Sequence, residues 1–213
     1  MAYKKEFIEF ATNSGALQFG EYTLKSGRKS PYFFNSGVFK TGSAMSRLGE
    51  FYAHAIVESK ISFDMLFGPA YKGIPLVTST AIALSQINKL NIPFAFNRKE
   101  KKDYGDQGKY IGAKIEGEIL IVDDVLTAGT AIKESAEIIN TEGGSLVGVI
   151  ILLDRQERGS NNLSAIQEIE DSLSIQVISI INITEIIEYL SNKKGQEGNL
   201  TLIKEYQEKY GIK

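Results

Sequence analysis

Two stretches of the first sixty residues repeat their apolar positions at helical spacing, with extended segments between them. One helix is predicted over Tyr3–Asn13, and a longer amphipathic helix over Ser43–Ser59. Between the two helices, residues 21–25 lead through a Ser26-Gly27 turn into the strand-like segment Pro31–Asn35. We therefore expect the first sixty residues to form a separate N-terminal region.

From residue 61 onward, short apolar runs alternate with helical stretches. The runs predicted as strands are Phe63–Phe67, Phe94–Phe96, Glu118–Val122, Leu146–Leu153 and Ile175–Ile180. The helical stretches are Ile74–Lys89, Thr130–Thr141 and, in the tail, Leu200–Tyr210. Nearly continuous apolar strands that alternate with helices are typical of an α/β fold, whose mainly parallel sheet is flanked by helices on both faces. Ligands bind such sheets beyond the carboxyl ends of the strands.

The length of the chain fits one domain with additions. Its 213 residues exceed a typical domain of about 150 residues without reaching two. We expect residues 1–213 to form a single domain. Within it we expect an N-terminal region at 1–60, an α/β core at about 61–182 and a helical tail at 183–213.

Composition excludes several kinds of chemistry. The chain has no cysteine and one histidine, His54, so thiolate nucleophiles, disulfides and multi-histidine metal sites are excluded. His54 lies near the margin of the apolar stripe of the second predicted helix and is interpreted as a surface residue. The 24 basic and 26 acidic residues nearly cancel, which disfavours a dedicated nucleic-acid binder. There is no signal-peptide core and no apolar run near the ~18 residues of a membrane span, so we expect a cytoplasmic location.

The most informative segment follows the predicted strand Glu118–Val122. Two adjacent carboxylates, Asp123 and Asp124, end the strand, and a run of small and hydroxyl residues leads into the helix at Thr130. Exposed amides at a helix N-terminus favour a phosphate, and Gly129 allows a close approach. Two carboxylates would repel that phosphate unless a sugar lay between them, with its vicinal hydroxyls donating to the acids. The segment therefore predicts a sugar-phosphate site.

Two simpler interpretations of this segment compete. A strand that ends in two acids also occurs at Walker-B magnesium sites, but the accompanying phosphate loop is missing. Its nearest match, Gly15–Gly20, is followed by Glu21-Tyr22 instead of Lys-Ser/Thr. Alternatively, Asp124 and Thr127 cap the following helix. Capping alone does not require two acids and the whole small-residue loop, so the sugar-phosphate interpretation is preferred.

Three further polar segments follow predicted strands. The loop Gly68–Gly73 suits a pyrophosphate oxygen bound by amides and the Lys72 ammonium, although an ordinary strand–helix turn is equally compatible. The run 98–106 begins with four cations in five positions, either on a solvated face or where they neutralise a pyrophosphate. Arg155 presents a planar fork suited to a carboxylate, and Arg158 is expected to form a structural ion pair.

These segments together resemble a known family. The run Ile119–Ala131 is similar to the phosphoribosyl pyrophosphate (PRPP) motif of type I phosphoribosyltransferases, and the whole chain resembles the bacterial orotate phosphoribosyltransferases. The other blocks that carry the resemblance are Phe19–Arg28, Ser30–Asn35, Phe67–Gly73, Phe96–Glu100 and Leu153–Gly159. They lie in the expected order and cover most of the chain. The combination is therefore specific, although each block alone is a modest signal.

The resemblance implies a PRPP site. The catalytic residues that it implies are Lys102, Asp123 and Asp124. The PRPP-binding residues that it implies are Lys25, Tyr71, Lys72, Arg98, Lys99, Lys102, Tyr104, Asp123, Asp124, Val125, Leu126, Thr127, Ala128, Gly129, Thr130 and Ala131. Similar enzymes often carry histidine where this chain has Tyr104. A tyrosine still donates a hydrogen bond, but the charge of an imidazolium is lost.

For the base, the resemblance implies a pocket for orotate. The residues that it implies are Phe33, Phe34, Thr127 and Arg155. The adjacent rings of Phe33 and Phe34 point to opposite faces of an extended strand. One ring therefore suits core filling, while an aromatic face at this pocket would stack on a pyrimidine.

The implied reaction is displacement at the anomeric carbon of PRPP, in which orotate N1 attacks, pyrophosphate leaves and orotidine 5′-monophosphate forms. Mg²⁺ is the implied cofactor, held mainly through PRPP and water, with no metal cage built by the protein. The resemblance also implies a homodimer that shares a cationic lid across its interface, an N-terminal hood, and no nucleic-acid or membrane partner. Two alternatives stay open: a phosphoribosyltransferase for another base, against which Arg155 argues, and a non-catalytic PRPP-sensing regulator.

Overall fold

The structure, a computed structural model, describes residues 2–100, 109–126, 129–159 and 162–212. These residues form seven helices: α1 (Ala2–Asn13), α2 (Gly42–Ser59), α3 (Gly73–Asn88), α4 (Thr130–Thr141), α5 (Ala165–Leu173), α6 (Ile183–Ser191) and α7 (Glu197–Tyr210). They also form eight strands: β1 (Leu17–Thr23), β2 (Lys29–Phe34), β3 (Met65–Gly68), β4 (Phe94–Asn97), β5 (Tyr110–Gly112), β6 (Glu118–Val122), β7 (Ser145–Asp154) and β8 (Gln176–Asn182). A single 3₁₀ turn covers Ser36–Val38.

Six of the strands form one sheet in the order β5-β4-β3-β6-β7-β8. Its pairs are parallel except at one edge, where β5 runs antiparallel to β4. Strands β1 and β2 form a separate antiparallel hairpin near the N-terminus. The prediction of an α/β fold with a mainly parallel, helix-flanked sheet is confirmed.

Strand β6 shows why the central strands read as unbroken apolar runs. Leu120 and Val122 belong to a core that includes residues of α2 and α3, whereas Ile119 and Ile121 belong to a second core with residues of α4 and α5. All four side chains are fully buried. Successive residues of a strand face opposite sides of the sheet, and both sides are covered here, so an alternation of apolar and polar positions is not required.

The sequence pattern does not predict strand β5 or helices α5 and α6. Strand β5 has only three residues, too few to show a period. Helix α5 begins with a capping box formed by Ser164 and Gln167, and α6 with one formed by Asn182 and Glu185. In α6 the apolar run of β8 continues into the helix, so the capping box is the only local sign of the change.

Two surface features bear on the expectations from composition. His54 is exposed on α2, and its ring stacks on Tyr3 with the ring centroids 5.8 Å apart. This position agrees with the interpretation of His54 as a surface residue. Within the described ranges, no helix combines the length and the apolar character that crossing a membrane requires.

Candidate active site

The two acids lie at the carboxyl edge of the sheet, directly after β6. Their main chain is still held by the neighbouring strand, since Asp123 N donates to Ile150 O at 3.0 Å and Leu152 N donates to Asp124 O at 2.9 Å. The hydroxyl of buried Tyr52, on α2, donates to Asp123 O at 2.7 Å. Strand β7 and helix α2 therefore fix the backbone from which both carboxylates project.

The Asp124 carboxylate joins three segments of the chain. Its Oδ2 accepts a hydrogen bond from Ser36 Oγ at 2.7 Å and lies 2.6 Å from Lys72 Nζ. Lys72 Nζ also lies 3.3 Å from Ser36 Oγ. The predicted pyrophosphate-loop lysine and the predicted ribose-binding acid thus form an ion pair in the free protein.

Asp123, like Asp124, is buried. Asp123 is only 8% exposed, and its Oδ1 accepts a hydrogen bond from Asp124 N at 2.9 Å. Burial, reinforced by the negative charge of Asp124, raises the pKa of Asp123 to about 7. The hydrogen bond from Asp124 N and the charge of Lys72 lower the pKa, but less strongly. Asp123 is therefore able to hold or release a proton near neutral pH.

The loop between β3 and α3 presents Tyr71 and Lys72 at the same edge. A Cβ atom on Gly73 would lie 2.8 Å from the carbonyl carbon of Gly68, so this junction has no room for a side chain. Ala70 N donates to the side-chain oxygen of buried Asn97 at the end of β4. Tyr71 is 69% exposed and Lys72 is also exposed. The tight loop therefore leaves these two side chains projecting beyond the strand ends.

Helix α4 begins at the loop that follows the two acids. Its N-cap is Gly129, in the left-handed region at φ 69°, and a Cβ atom there would collide with Ile169 of α5. A glycine N-cap offers no side-chain acceptor to the first-turn amides. Asp124, considered above as a cap, is engaged by Lys72 and Ser36 instead. This helix start retains the amides that an anion site requires.

Arg155 follows β7 and lies against the hairpin. Its Nε and Nη2 donate to Glu157 Oε1 at 2.7 and 2.6 Å, and its Nη2 donates to Ser30 Oγ at 3.0 Å. The guanidinium lies 4.1 Å from the centre of the Tyr32 ring. The structural ion pair predicted for Arg158 is not found among the described residues. The Arg158 guanidinium donates to a main-chain carbonyl of α7, and the described residues offer it no carboxylate partner.

Residues 30–36 cross from one of these clusters to the other. The segment contacts Arg155 through Ser30 and Tyr32, and it contacts Asp124 through Ser36. Phe33 and Phe34 lie between those contacts in sequence. The two predicted halves of the site are therefore joined by one short stretch of chain.

The two phenylalanine rings lie on different sides of β2, as predicted. Phe33 is 37% exposed and stacks on Tyr22 of β1, with the ring centroids 5.4 Å apart. Phe34 is half-buried, and its ring centroid lies 6.5 Å from that of Phe7 on α1. Phe33 is thus the ring available to a ligand.

Other predicted residues are less closely connected to this centre. Lys25 is exposed in the turn of the hairpin, and Lys99 Nζ lies 3.6 Å from Glu134 of α4. Arg98 is half-buried at the end of β4, where its amide donates to Lys109 O. Among the residues around the acid pair, Val125, Leu126 and Ala131 are half-buried and Thr130 is exposed. The predictions that lie outside the described residues are Lys102, Tyr104, Thr127 and Ala128.

Sequence reasoning missed four residues of this region. Tyr52 lies on an apolar helical stripe, where a core tyrosine gives the same signal. Ser36 and Asn97 carry no local signal that distinguishes them from loop residues. Glu157 stands in a block of alternating charge beside Arg155, and that spacing was the one available clue.

Comparison with known proteins agrees with this geometry. A family model described as a phosphoribosyl transferase domain matches residues 38–180. An orotate phosphoribosyltransferase of Shewanella oneidensis is 54% identical over 99% of this chain and 98% of its own length. The Escherichia coli protein of that name is 54% identical over 99% of both chains.

A solved structure extends the likeness to three dimensions. The crystal structure of orotate phosphoribosyltransferase from Francisella tularensis matches with a TM-score of 0.88 and 40% identity, over 97% of this chain and 99% of that one. The fold and the acid pair at its sheet edge define a type I phosphoribosyltransferase. Within that class, the chain belongs to the orotate phosphoribosyltransferase family.

Proposed function

We propose that this protein transfers the phosphoribosyl group of PRPP to orotate, giving orotidine 5′-monophosphate and pyrophosphate in pyrimidine biosynthesis. The observation that carries the proposal is the bridge of residues 30–36 between Arg155 and Asp124. It brings a cation for the base carboxylate, an exposed aromatic ring and the acid pair into one region. Related proteins bearing the orotate phosphoribosyltransferase name, at 54% identity over nearly the full chain, support the same reaction.

On the PRPP side, Asp123 and Asp124 accept hydrogen bonds from the ribose hydroxyls. Positive charge develops on the ribose as the bond between its anomeric carbon and the pyrophosphate oxygen breaks, and nearby carboxylates stabilise that charge. Lys72 leaves Asp124 and turns to the pyrophosphate, whose negative charge grows as it departs. The amides at the start of α4 bind the 5′-phosphate. These groups act by position and charge, without a covalent intermediate on the protein.

On the base side, orotate N1 forms the new bond to the anomeric carbon. Phe33 offers its exposed face to the pyrimidine, while Arg155 provides a donor for the carboxylate. Thr127, which lies outside the described residues, belongs to this pocket in the proposal. A purine or uracil has no carboxylate to satisfy the arginine, so orotate is preferred over those bases.

Mg²⁺ is part of this proposal as a companion of PRPP. Within the described ranges, no group of three or more carboxylate, histidine or cysteine side chains is arranged to hold a metal ion. The proposal rests on the chemistry of the cation, which keeps several waters and binds largely through substrate phosphates. Asp123 and Asp124 are the described residues that would hold the hydrated cation, which would neutralise pyrophosphate charge.

The domain organisation, the cellular location and the assembly of the chain are further parts of the proposal. The chain acts as one catalytic domain, with a hood at 1–60, a PRPP-binding core at about 61–182 and a tail at 183–213. It acts as a cytoplasmic homodimer whose cationic lid, with Arg98, Lys99, Lys102 and Tyr104, closes over PRPP of the neighbouring subunit. Mixing an inactive Lys102 variant with an inactive Asp124 variant tests the sharing, because recovered activity requires one intact site assembled from both chains.

The function is tested by mixing the protein with PRPP, Mg²⁺ and orotate. We expect the ultraviolet absorbance of orotate to fall while pyrophosphate is released in equal amount. Parallel reactions with uracil, adenine and hypoxanthine serve as controls. Turnover of one of those bases without turnover of orotate would assign the protein to a different substrate. Binding of PRPP without turnover of any base would favour the sensing alternative.

A further inference from the structure

We propose that Glu157 positions Arg155 for the base carboxylate, with helix α7 holding both in place, and that this assembly determines the preference for a carboxylated base. The inference rests on the proposed function, because it names how that site selects orotate. Glu157 is a positioning residue in this proposal, since it acts on the substrate through Arg155.

The Glu157 carboxylate holds two arginines and a tyrosine from separate segments. Its Oε1 accepts from Arg155 Nε at 2.7 Å and from the Tyr32 hydroxyl at 3.3 Å. Its Oε2 lies 3.6 Å from Arg28 Nη1 at the start of the hairpin's second strand. The side chain of Glu157 is 13% exposed, so these contacts are shielded from water. A carboxylate in this position restricts the guanidinium far more than a solvated one would.

The contacts leave one edge of the Arg155 guanidinium for a ligand. Nε and Nη2 are used by Glu157 and Ser30, and the Tyr32 ring covers one face. Nη1 takes no part in the contacts with Glu157 and Ser30, and the hydroxyl of Tyr206 on α7 interacts with the same guanidinium. A planar fork with one edge anchored presents its remaining N–H groups in a fixed direction.

The charges of the cluster also fit a ligand with one carboxylate. Arg155 and Arg28 carry two positive charges and Glu157 carries one negative charge, which leaves a net charge of one. A single carboxylate on the base neutralises this remainder. An uncarboxylated base would leave the excess of one positive charge uncompensated at this half-buried position, which is unfavourable.

Helix α7 supports the cluster from outside. Gln207 Nε2 donates to Arg155 O at 2.9 Å, and Gly211 forms an isolated antiparallel bridge with Glu157. The segment that matches the phosphoribosyl transferase family model covers residues 38–180. Arg155 and Glu157 lie inside this matched segment, as does the acid pair, whereas the hairpin and α7, which contact Arg155 and Glu157, lie outside it.

The test compares the kinetic constants for the two substrates in Glu157→Ala, Glu157→Gln and Gln207→Ala. We expect Glu157→Ala to raise the KM for orotate about 10- to 100-fold, while the KM for PRPP changes less than about threefold. Glu157→Gln keeps an oxygen acceptor for Arg155 and should recover part of the loss. Gln207→Ala should raise the KM for orotate by about threefold. The matched control is Glu116→Ala, on an exposed ion pair with Lys114, and it should match the wild type.

The outcomes separate this inference from the proposed function. If the wild type does not turn over orotate, the proposed function is wrong and the inference with it. If the wild type is active and neither Glu157 variant changes the orotate KM, the inference alone is overturned. An equal rise in the KM for orotate and the KM for PRPP would show that Glu157 has only a structural role, which also overturns the proposal. A lower orotate KM in both variants would show that Glu157 weakens the arginine, which also overturns the proposal. Thermal melting identifies any variant that fails to fold, and Gln207→Ala then decides.

Discussion

Replacing Asp123 with asparagine tests the electrostatics of the acid pair without any ligand. Asp123 is buried beside Asp124, and its pKa is raised from 3.8 to about 7. The substitution removes the ionisable group but keeps an oxygen that accepts the hydrogen bond from Asp124 N. We expect the Asp123→Asn variant to be more stable than the wild type at pH 8, and this advantage to shrink at lower pH.

The magnitude follows from the difference between the two pKa values. Each pKa unit corresponds to about 1.4 kcal/mol, so ionising Asp123 in the folded protein costs about 4 kcal/mol more than ionising it in the unfolded chain. Because the folded state holds this proton more tightly, unfolding releases it between about pH 4 and pH 7. Stability therefore falls as the pH rises through that window and is flat above it. Between pH 5 and pH 8, the wild type should lose about 2 to 3 kcal/mol relative to the variant.

The assay is urea unfolding of the wild type and the variant at pH 5 and pH 8. Comparing the variant's advantage at the two pH values removes any pH-independent effect of the amide. The matched control is Asp171→Asn, which makes the same chemical change at an exposed position on α5, and the pH dependence of Asp123→Asn is measured relative to it. An Asp123→Asn advantage that is the same at pH 5 and pH 8, or larger at pH 5, would refute the reasoning.

Three other substitutions test separate parts of the site. Lys72→Ala removes a donor to pyrophosphate and should raise the KM for PRPP about 10- to 100-fold in initial-rate measurements; an unchanged KM would contradict its role. Tyr52→Phe leaves the Asp123 carbonyl without its buried donor and should lower the unfolding free energy by about 1 to 3 kcal/mol in urea titrations. Gly129→Ala adds a Cβ in the left-handed region against Ile169 and should destabilise the protein by about 2 to 4 kcal/mol, whereas wild-type stability would show that the loop relaxes freely.

The parts of the fold that the sequence predicts are those with strong local patterns. Strand β6 and helix α4 have the predicted limits, since one is a continuous apolar run and the other a periodic stripe bounded by Gly129. Strand β5 is not predictable in this way, because its pairing with β4 is a tertiary interaction that three residues cannot encode locally. Helices α5 and α6 show that a capping box is informative where hydrophobic periodicity is ambiguous.

At the site, the sequence identifies charged groups but not their partners. Asp124 and Lys72 stand out because each follows an apolar strand in a loop rich in small residues. The third member of their cluster, Ser36, lies 88 positions before Asp124, and no local spacing connects them. Similarly, Ser30 and Arg155 are separated by 125 positions. Such pairings depend on how the hairpin crosses the sheet edge, which is a property of the whole fold.

The ion pair of Lys72 with Asp124 connects these observations with the proposed reaction. In the free protein each charge is satisfied by the other, at a separation of 2.6 Å. In the proposed complex the Lys72 ammonium faces pyrophosphate and the Asp124 carboxylate faces a ribose hydroxyl. Binding of PRPP therefore replaces the one ion pair with two favourable contacts. Lys72 is more than half exposed whereas Asp124 is nearly buried, so the lysine is the partner that is free to move. The pair keeps the charges of the site balanced until a ligand that carries both an anion and hydroxyl donors replaces it, and a simple phosphate meets only half of that requirement.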